Sequence, residues 1–276
     1  MPPILYPPAR PQTVREVLDT GILIFKATLG ATLAWGMLMA LAAELPNLRN
    51  IALGVPLQHP EEADPQWWAW GVAGWILSLL LWSVLLLRQK AVAAGERGST
   101  LAELKVAAVQ LSRLIAVAAL WMVALALALV PYGIGLQMAG LAGIRTASDA
   151  LMAVMLSPLT LPAVWLSVAL MLAPVLVVVQ KLGPIAALQE SLRLTQGHWW
   201  RASVVSGVAF GVLLLLLLLI AMVAGVGVGM AGVRDVRVAM LVAVPVGIIW
   251  SALSCVAMSA VLLALLGDLR VRQKGR

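Results

Sequence analysis

The chain has 276 residues, 62% of them hydrophobic and 11% charged, with a net charge of +7 and a mean hydropathy of +1.01. Soluble domains carry about 25% charged residues, so a water-soluble globule of this size is excluded. A disordered chain, a collagen and a disulfide-rich secreted module are excluded too, which leaves an all-α polytopic membrane protein.

Six stretches lack Asp, Glu, Lys and Arg: Ala27–Ala43, Pro65–Leu87, Leu114–Ile144, Ala150–Gln180, Ala202–Val233 and Val238–Gly267. About 20 apolar residues cross a bilayer as a helix, so each stretch predicts one span. The first reaches full length when Ile22–Phe25 and Lys26 join it, with the Lys26 stem snorkelling to the headgroups. The last four exceed one straight span, so their ends must tilt, break or lie in the interface. Ser157-Pro158 and Pro162 predict a break, which places the fourth span near Leu159–Gln180 and makes Ala150–Leu156 a short interfacial piece. Strands of a membrane barrel would alternate polar and apolar residues, which these runs do not. MPPILYPPARPQ lacks the layout of a cleavable signal, so the first span is expected to remain as an anchor.

The cations set the expected orientation. Only Arg49, Arg145, Arg234 and Arg237 fall on one side of the spans; the rest of the 19 Lys and Arg fall on the other. By the positive-inside rule both termini face the cytoplasm. The basic sequence pI then reflects one membrane face. Anionic headgroups are its expected partner, and nucleic acid is not.

Each basic segment before an odd-numbered span reads as an amphipathic helix. In TVREVLDTGILIFK the apolar face is Val14, Val17, Leu18 and Ile22. In STLAELKVAAVQLSR it is Leu101, Leu104, Ala108 and Leu111, and in GPIAALQESLRLTQGHWWR it is Ile185, Leu188 and Leu192. Leu18, Leu104 and Leu188 are nearly evenly spaced. The pattern predicts three pseudo-repeats near 13–88, 99–180 and 184–267, each an interfacial helix followed by a transmembrane hairpin. They are flanked by a proline-rich tail, 1–12, and a basic tail, 268–276. Thr13 with Glu16 and Thr100 with Glu103 have capping-box spacing, and Gly183-Pro184 suits a helix start.

The third of these segments carries the sharpest pattern: Ala187-Leu188, Ser191, Leu194-Thr195, Gly197 and Trp199-Trp200-Arg201. It resembles the signature preceding the fifth span of YciC-like bacterial inner-membrane proteins. It is also similar to the membrane domain attached to some glycerophosphodiester phosphodiesterases. The resemblance implies six spans, a cytoplasmic amino terminus and residence in the inner membrane. The soluble phosphodiesterase barrel has no counterpart in this sequence, so that activity is not carried over.

Little else in the sequence suggests chemistry. Apart from Lys26, no ionisable residue lies within a span, where proton- or sodium-coupled carriers place one. His59, Glu61, Glu62 and Asp64 could bind a divalent cation, yet Pro60 and Pro65 make that segment a solvated acidic loop. His198 beside Trp199 and Trp200 suits the membrane interface. Gly227, Gly229 and Gly232 match G-x-G-x-x-G, but no strand precedes them and no dinucleotide site follows. Cys255 is the single cysteine, so no intramolecular disulfide can form. No catalytic residue, cofactor or metal is expected.

Small residues every four positions predict close helix packing. They are Ser203, Gly207 and Gly211, then Ala221, Gly225 and Gly229, in the fifth span, and Ser251, Cys255 and Ser259 in the sixth. Those two spans are expected to pair, with Leu213–Leu219 facing lipid or a loose interface. Trp67, Trp68 and Trp70, and Trp199 with Trp200, form aromatic belts. Trp68, Trp75 and Trp82 make one stripe, either a groove for an acyl chain or partner helix, or bulky packing. Pro174 and Pro245 can kink their helices. The leading expectation is a non-catalytic integral membrane protein that organises lipid or a partner complex. The alternative is a flippase-like carrier of an apolar or lipidic solute.

Overall fold

The computed structural model describes residues 5–53, 66–96, 98–141, 157–230 and 236–275, and every regular element among them is helical. In chain order these are α1 (Val14–Ala43), α2 (Leu45–Leu53), α3 (Trp67–Ala93), α4 (Thr100–Leu141), a 3-10 turn (Ser157–Thr160), α5 (Leu161–Leu170), α6 (Ala173–Gln180), α7 (Pro184–Thr195), α8 (Trp199–Met230) and α9 (Val236–Lys274). Six segments are long and apolar enough to cross a membrane: Val14–Ala43, Trp67–Ala93, Thr100–Gly135, Ser157–Gln180, Trp199–Val223 and Val244–Lys274. The six-span all-α architecture read from the charge-free runs is therefore the observed one.

Two compact units are present. The first comprises Met1–Leu111 with Ser203–Arg276, and the second Ser112–Ala202. In the first unit α1 packs along α9 and α3. The seam of α1 is a stripe of mostly small residues: Val17, Gly21, Ile24, Thr28, Thr32, Gly36 and Ala40 are all buried. A Cβ added to Gly21 would lie 3.0 Å from Val261, and one added to Gly36 would lie 3.1 Å from the Ala252 carbonyl oxygen. Such contact between backbones supplies dispersion energy where lipid removes the hydrophobic drive. Thr28 and Thr32 donate their hydroxyls to the Ile24 and Thr28 carbonyls at 2.8 and 2.9 Å, so their burial leaves no orphan donor.

α3 adds polar contacts. Ser78 donates to the Met39 carbonyl (3.2 Å), the Trp82 indole to Ser259 (3.0 Å) and the Gln89 amide to the Val256 carbonyl (2.8 Å). Cross-helix bonds of this kind average about 0.6 kcal/mol in membranes, so they fix register more than stability. Gly74 sits against the Ala42 carbonyl with no space for a side chain.

At one end of this unit the proline-rich segment is docked, not a free tail. The Leu5 and Tyr6 N–H groups donate to the Ala93 carbonyl at 2.9 and 3.2 Å. The Gln12 N–H donates to Asp268 Oδ1 at 2.7 Å, and Arg272 donates to both Asp268 and the Gln12 carbonyl. Asp268 is fully buried beneath this strap, and Pro8 covers Gly267. α9 runs unbroken to Lys274, so most of the expected basic tail continues the sixth helix.

Two further expectations are corrected. The first two amphipathic segments are not separate interfacial helices, because α1 and α4 pass from them into the spans without a break. Nothing in either segment interrupts the backbone hydrogen bonds, whereas Gly197 (φ 77°) ends the third. The Thr13–Glu16 capping box forms, but Thr100 and Glu103 turn to Arg88 instead. Arg88 lies 2.9 Å from the Glu103 carboxylate in a mostly buried pair that fastens the α3–α4 turn. Pro245 stays inside a continuous α9, whereas α5 ends at Leu170, shortly before Pro174 opens α6.

Candidate lipid-facing site

The second unit contains the segment with the family-like pattern. Gly183 in extended conformation and Pro184 at the first position start α7, as a missing N–H at that position demands. Just before it, Lys181 closes α6 in the left-handed region (φ 59°), and Arg113 donates to its carbonyl at 3.0 Å. The break between α5 and α6 leaves carbonyls at the end of α5 in need of donors. Ser191 donates to the Ala169 carbonyl at 2.7 Å, and Thr195 reaches the same oxygen at 3.4 Å.

Consequently α7 is seated by Ala187, Ser191, Leu194 and Thr195, all buried. The apolar face read from the sequence is turned away from the protein. Ile185 is 66% exposed and Leu192 37% exposed, with Leu188 half-buried. The hydroxyls win the inward side because the orphaned carbonyl is there. An uncovered apolar face on a short amphipathic helix is what a bilayer boundary accommodates.

Beyond α7 the chain turns through Gln196, Gly197 and His198 into α8. The Trp199 indole donates to the Trp165 carbonyl at 3.1 Å, and Trp199 stacks on Trp200 with ring centroids 5.6 Å apart. Trp165, Leu192, Thr195, Gln196, Gly197 and Trp199 line a half-open groove of about 340 Å³. The sequence reading marked Leu192, Thr195, Gly197 and Trp199, but neither Gln196 nor Trp165, and did not indicate that they form a cleft. The missed signal was a lone tryptophan inside the fourth span.

The expected tryptophan stripe divides. Trp68 is largely exposed and Trp75 partly so, whereas Trp82 packs toward α9 through Ser259. The small-residue sites divide as well. A Cβ added at Gly207, Gly211 or Gly225 would meet nothing within 4 Å among the described residues. The backbone at Gly229 continues α8, and its surroundings lie outside the described residues. On α9, Ser251 is exposed, while Cys255 lies 3.4 Å from Met39 Sδ and Ser259 is buried. The sixth span thus uses Cys255 and Ser259 against α1 and α3, and among the described residues it pairs with the first span and not, as expected, with the fifth.

His59, Glu61, Glu62 and Asp64 lie outside the described residues, as do Gly232 and the piece Ala150–Leu156. No group of metal-ligating side chains occurs among the described residues. Comparison with protein-family models, with curated proteins and with solved structures finds no match to this chain.

Proposed function

We propose that this chain is a non-catalytic integral protein of a bacterial inner membrane that organises lipid, or a partner membrane complex, along its basic margin. In this reading both termini are cytoplasmic, anionic headgroups are the immediate partners, and the Gly183–Arg201 segment marks YciC-like kinship. The observation that supports it best is the contrast between a closed seam and uncovered apolar flanks. α1, α3 and α9 interlock, whereas α8 and the outward faces of α5 and α7 leave large apolar side chains exposed. The ionisable groups buried in the described structure, Glu103 and Asp268, sit near helix ends and hold turns and termini together. They stabilise a scaffold and line no path.

Native purification in lipid discs tests this, with lipid analysis and mass spectrometry of co-purifying proteins. Anionic lipid enriched over the bulk membrane, or a stoichiometric partner, is the expected result. Bulk lipid composition with no partner would overturn it, and reconstituted flipping of a lipidic solute under those conditions would favour the carrier.

A further inference from the structure

From the groove on α7 we infer a specific ligand: one acyl chain of an anionic glycerophospholipid, drawn from the leaflet on the basic side. This rests on the scaffold reading above and narrows it to a single place. Three observations converge. First, the groove has the size of a small-ligand site, and its walls are mainly indole and aliphatic surface from Trp165, Trp199 and Leu192. Second, its walls join a membrane-spanning helix to the helix elbow that bears Trp199 and Trp200. Trp165 lies in the apolar Leu161–Leu170 helix, and it is 51% exposed. A molecule reaching that wall comes from the hydrocarbon phase, and tryptophans at such an elbow belong at headgroup depth.

Third, the charge fits. Arg193 adjoins the lining residue Leu192, and Arg201 lies two residues from Trp199, with Glu190 the nearest carboxylate in sequence. Glu190 pairs with Arg193 at 2.7 Å, yet the Arg193 side chain remains 64% exposed. A phosphodiester with a further negative charge would gain more from these two cations than a zwitterionic headgroup. The polar groups on the wall are largely engaged within the protein. Thr195 bonds to backbone carbonyls and the Trp199 indole to Trp165, so the cleft suits an apolar tail while the cations receive the head.

The test uses the full-length protein in lipid discs containing a phosphatidylglycerol with a diazirine in its acyl chain. After irradiation, labelled peptides are mapped by mass spectrometry. Peptides carrying Trp165 and Leu192–Trp199 should take several times the label expected from their exposed apolar area. Leu192→Trp and, separately, Gln196→Trp place bulk in the groove and should remove that excess, leaving label on α8 unchanged. Arg193→Gln with Arg201→Gln should lower it toward the level seen with a diazirine phosphatidylcholine probe. Label distributed simply by exposed area, or equal labelling by both probes, would overturn the inference. If anionic lipid still co-purifies in excess, the scaffold reading survives that result; if it does not, both fall.

Discussion

Leu213–Leu219 of α8 and Leu263–Leu269 of α9 are both almost wholly apolar, and a hydropathy scale places both in a membrane. In the structure every residue of the second segment is buried, while the first lies largely uncovered, with Leu215 67% exposed. What separates them is the partner surface. The α9 segment lies among α1, α3 and the strap Leu5–Gln12, whose glycines, threonines and backbone donors allow close approach. The leucine run has no complementary seam. Hydrophobicity selects the solvent, and shape with hydrogen bonding selects the neighbour.

The most direct way to break that contrast is to spoil the seam. Gly74→Val and Gly36→Ile each force a side chain against a backbone carbonyl, Ala42 in one case and Ala252 in the other, which cannot swing aside. Overpacking costs about 1–3 kcal/mol, and these two should reach the upper part of that range. A clear fall in the melting temperature of the detergent-extracted protein is expected. An unchanged value would mean that α1 does not pack on α9 and α3 as described.

A smaller loss is expected at the strap. Asp268→Ala removes the acceptor for the Gln12 N–H and leaves Arg272 without its carboxylate. Removing one partner of a buried hydrogen bond costs about 1–3 kcal/mol. Here the loss should be local, because the strap can detach while the helices remain packed. Hydrogen exchange should accelerate at Leu5, Tyr6 and Gln12 and stay slow in α9. Uniformly slow exchange would show that the strap is held by Tyr6 and Pro8 alone.

How far this was legible in sequence depends on the interaction concerned. The spans were readable because hydrocarbon forbids charge, and that rule acts residue by residue. Neighbours were harder. Gly21, Thr28, Thr32, Gly36 and Ala40 display the same four-residue rhythm as Ser203, Gly207 and Gly211, yet only the first set is used in the described structure. A small-residue stripe states that close approach is possible, not which helix supplies the other side. Likewise, the third amphipathic segment was legible as a helix with its apolar face, while the inward contacts of Ser191 and Thr195 were not. Those depended on an orphaned carbonyl at Ala169, created by a break in another helix. The α2 helix was not read from the sequence, because nine residues with Pro46 in the first turn give too short a pattern to mark a helix.

The strap also has a pH dependence. Burial pushes the Tyr6 phenol above its ordinary 10.0, and Arg270 offsets part of that rise. A group whose folded value is raised contributes stability that is complete below the unfolded value and is lost as pH rises through the folded one. The strap should therefore hold at neutral pH and loosen above pH 10. Cleavage of the Leu5–Tyr6 bond by an alkaline-active subtilisin should quicken in that window for the natural chain, and Tyr6→Phe should remove the response. The same acceleration in Tyr6→Phe would assign it to another group.

The smallest expected effect sharpens the comparison from its other side. Gly207→Ile and Gly211→Ile add side chains whose first carbon would have nothing within 4 Å among the described residues. If the seam of α1 and α9 holds the first unit together and α8 faces lipid, neither change alters a contact. Isoleucine is also a better helix former than glycine, by several tenths of a kcal/mol. The melting temperature should therefore stay the same or rise slightly, within about 0.5 kcal/mol of the parent. Both variants should be measured in lipid discs as well as detergent, because a helix-facing role would emerge only where neighbours are retained. A loss in discs alone, accompanied by a change in particle mass, would show that this glycine stripe meets a second copy. The leucine run would then be an interface, and its difference from Leu263–Leu269 would lie in which chain supplies the partner.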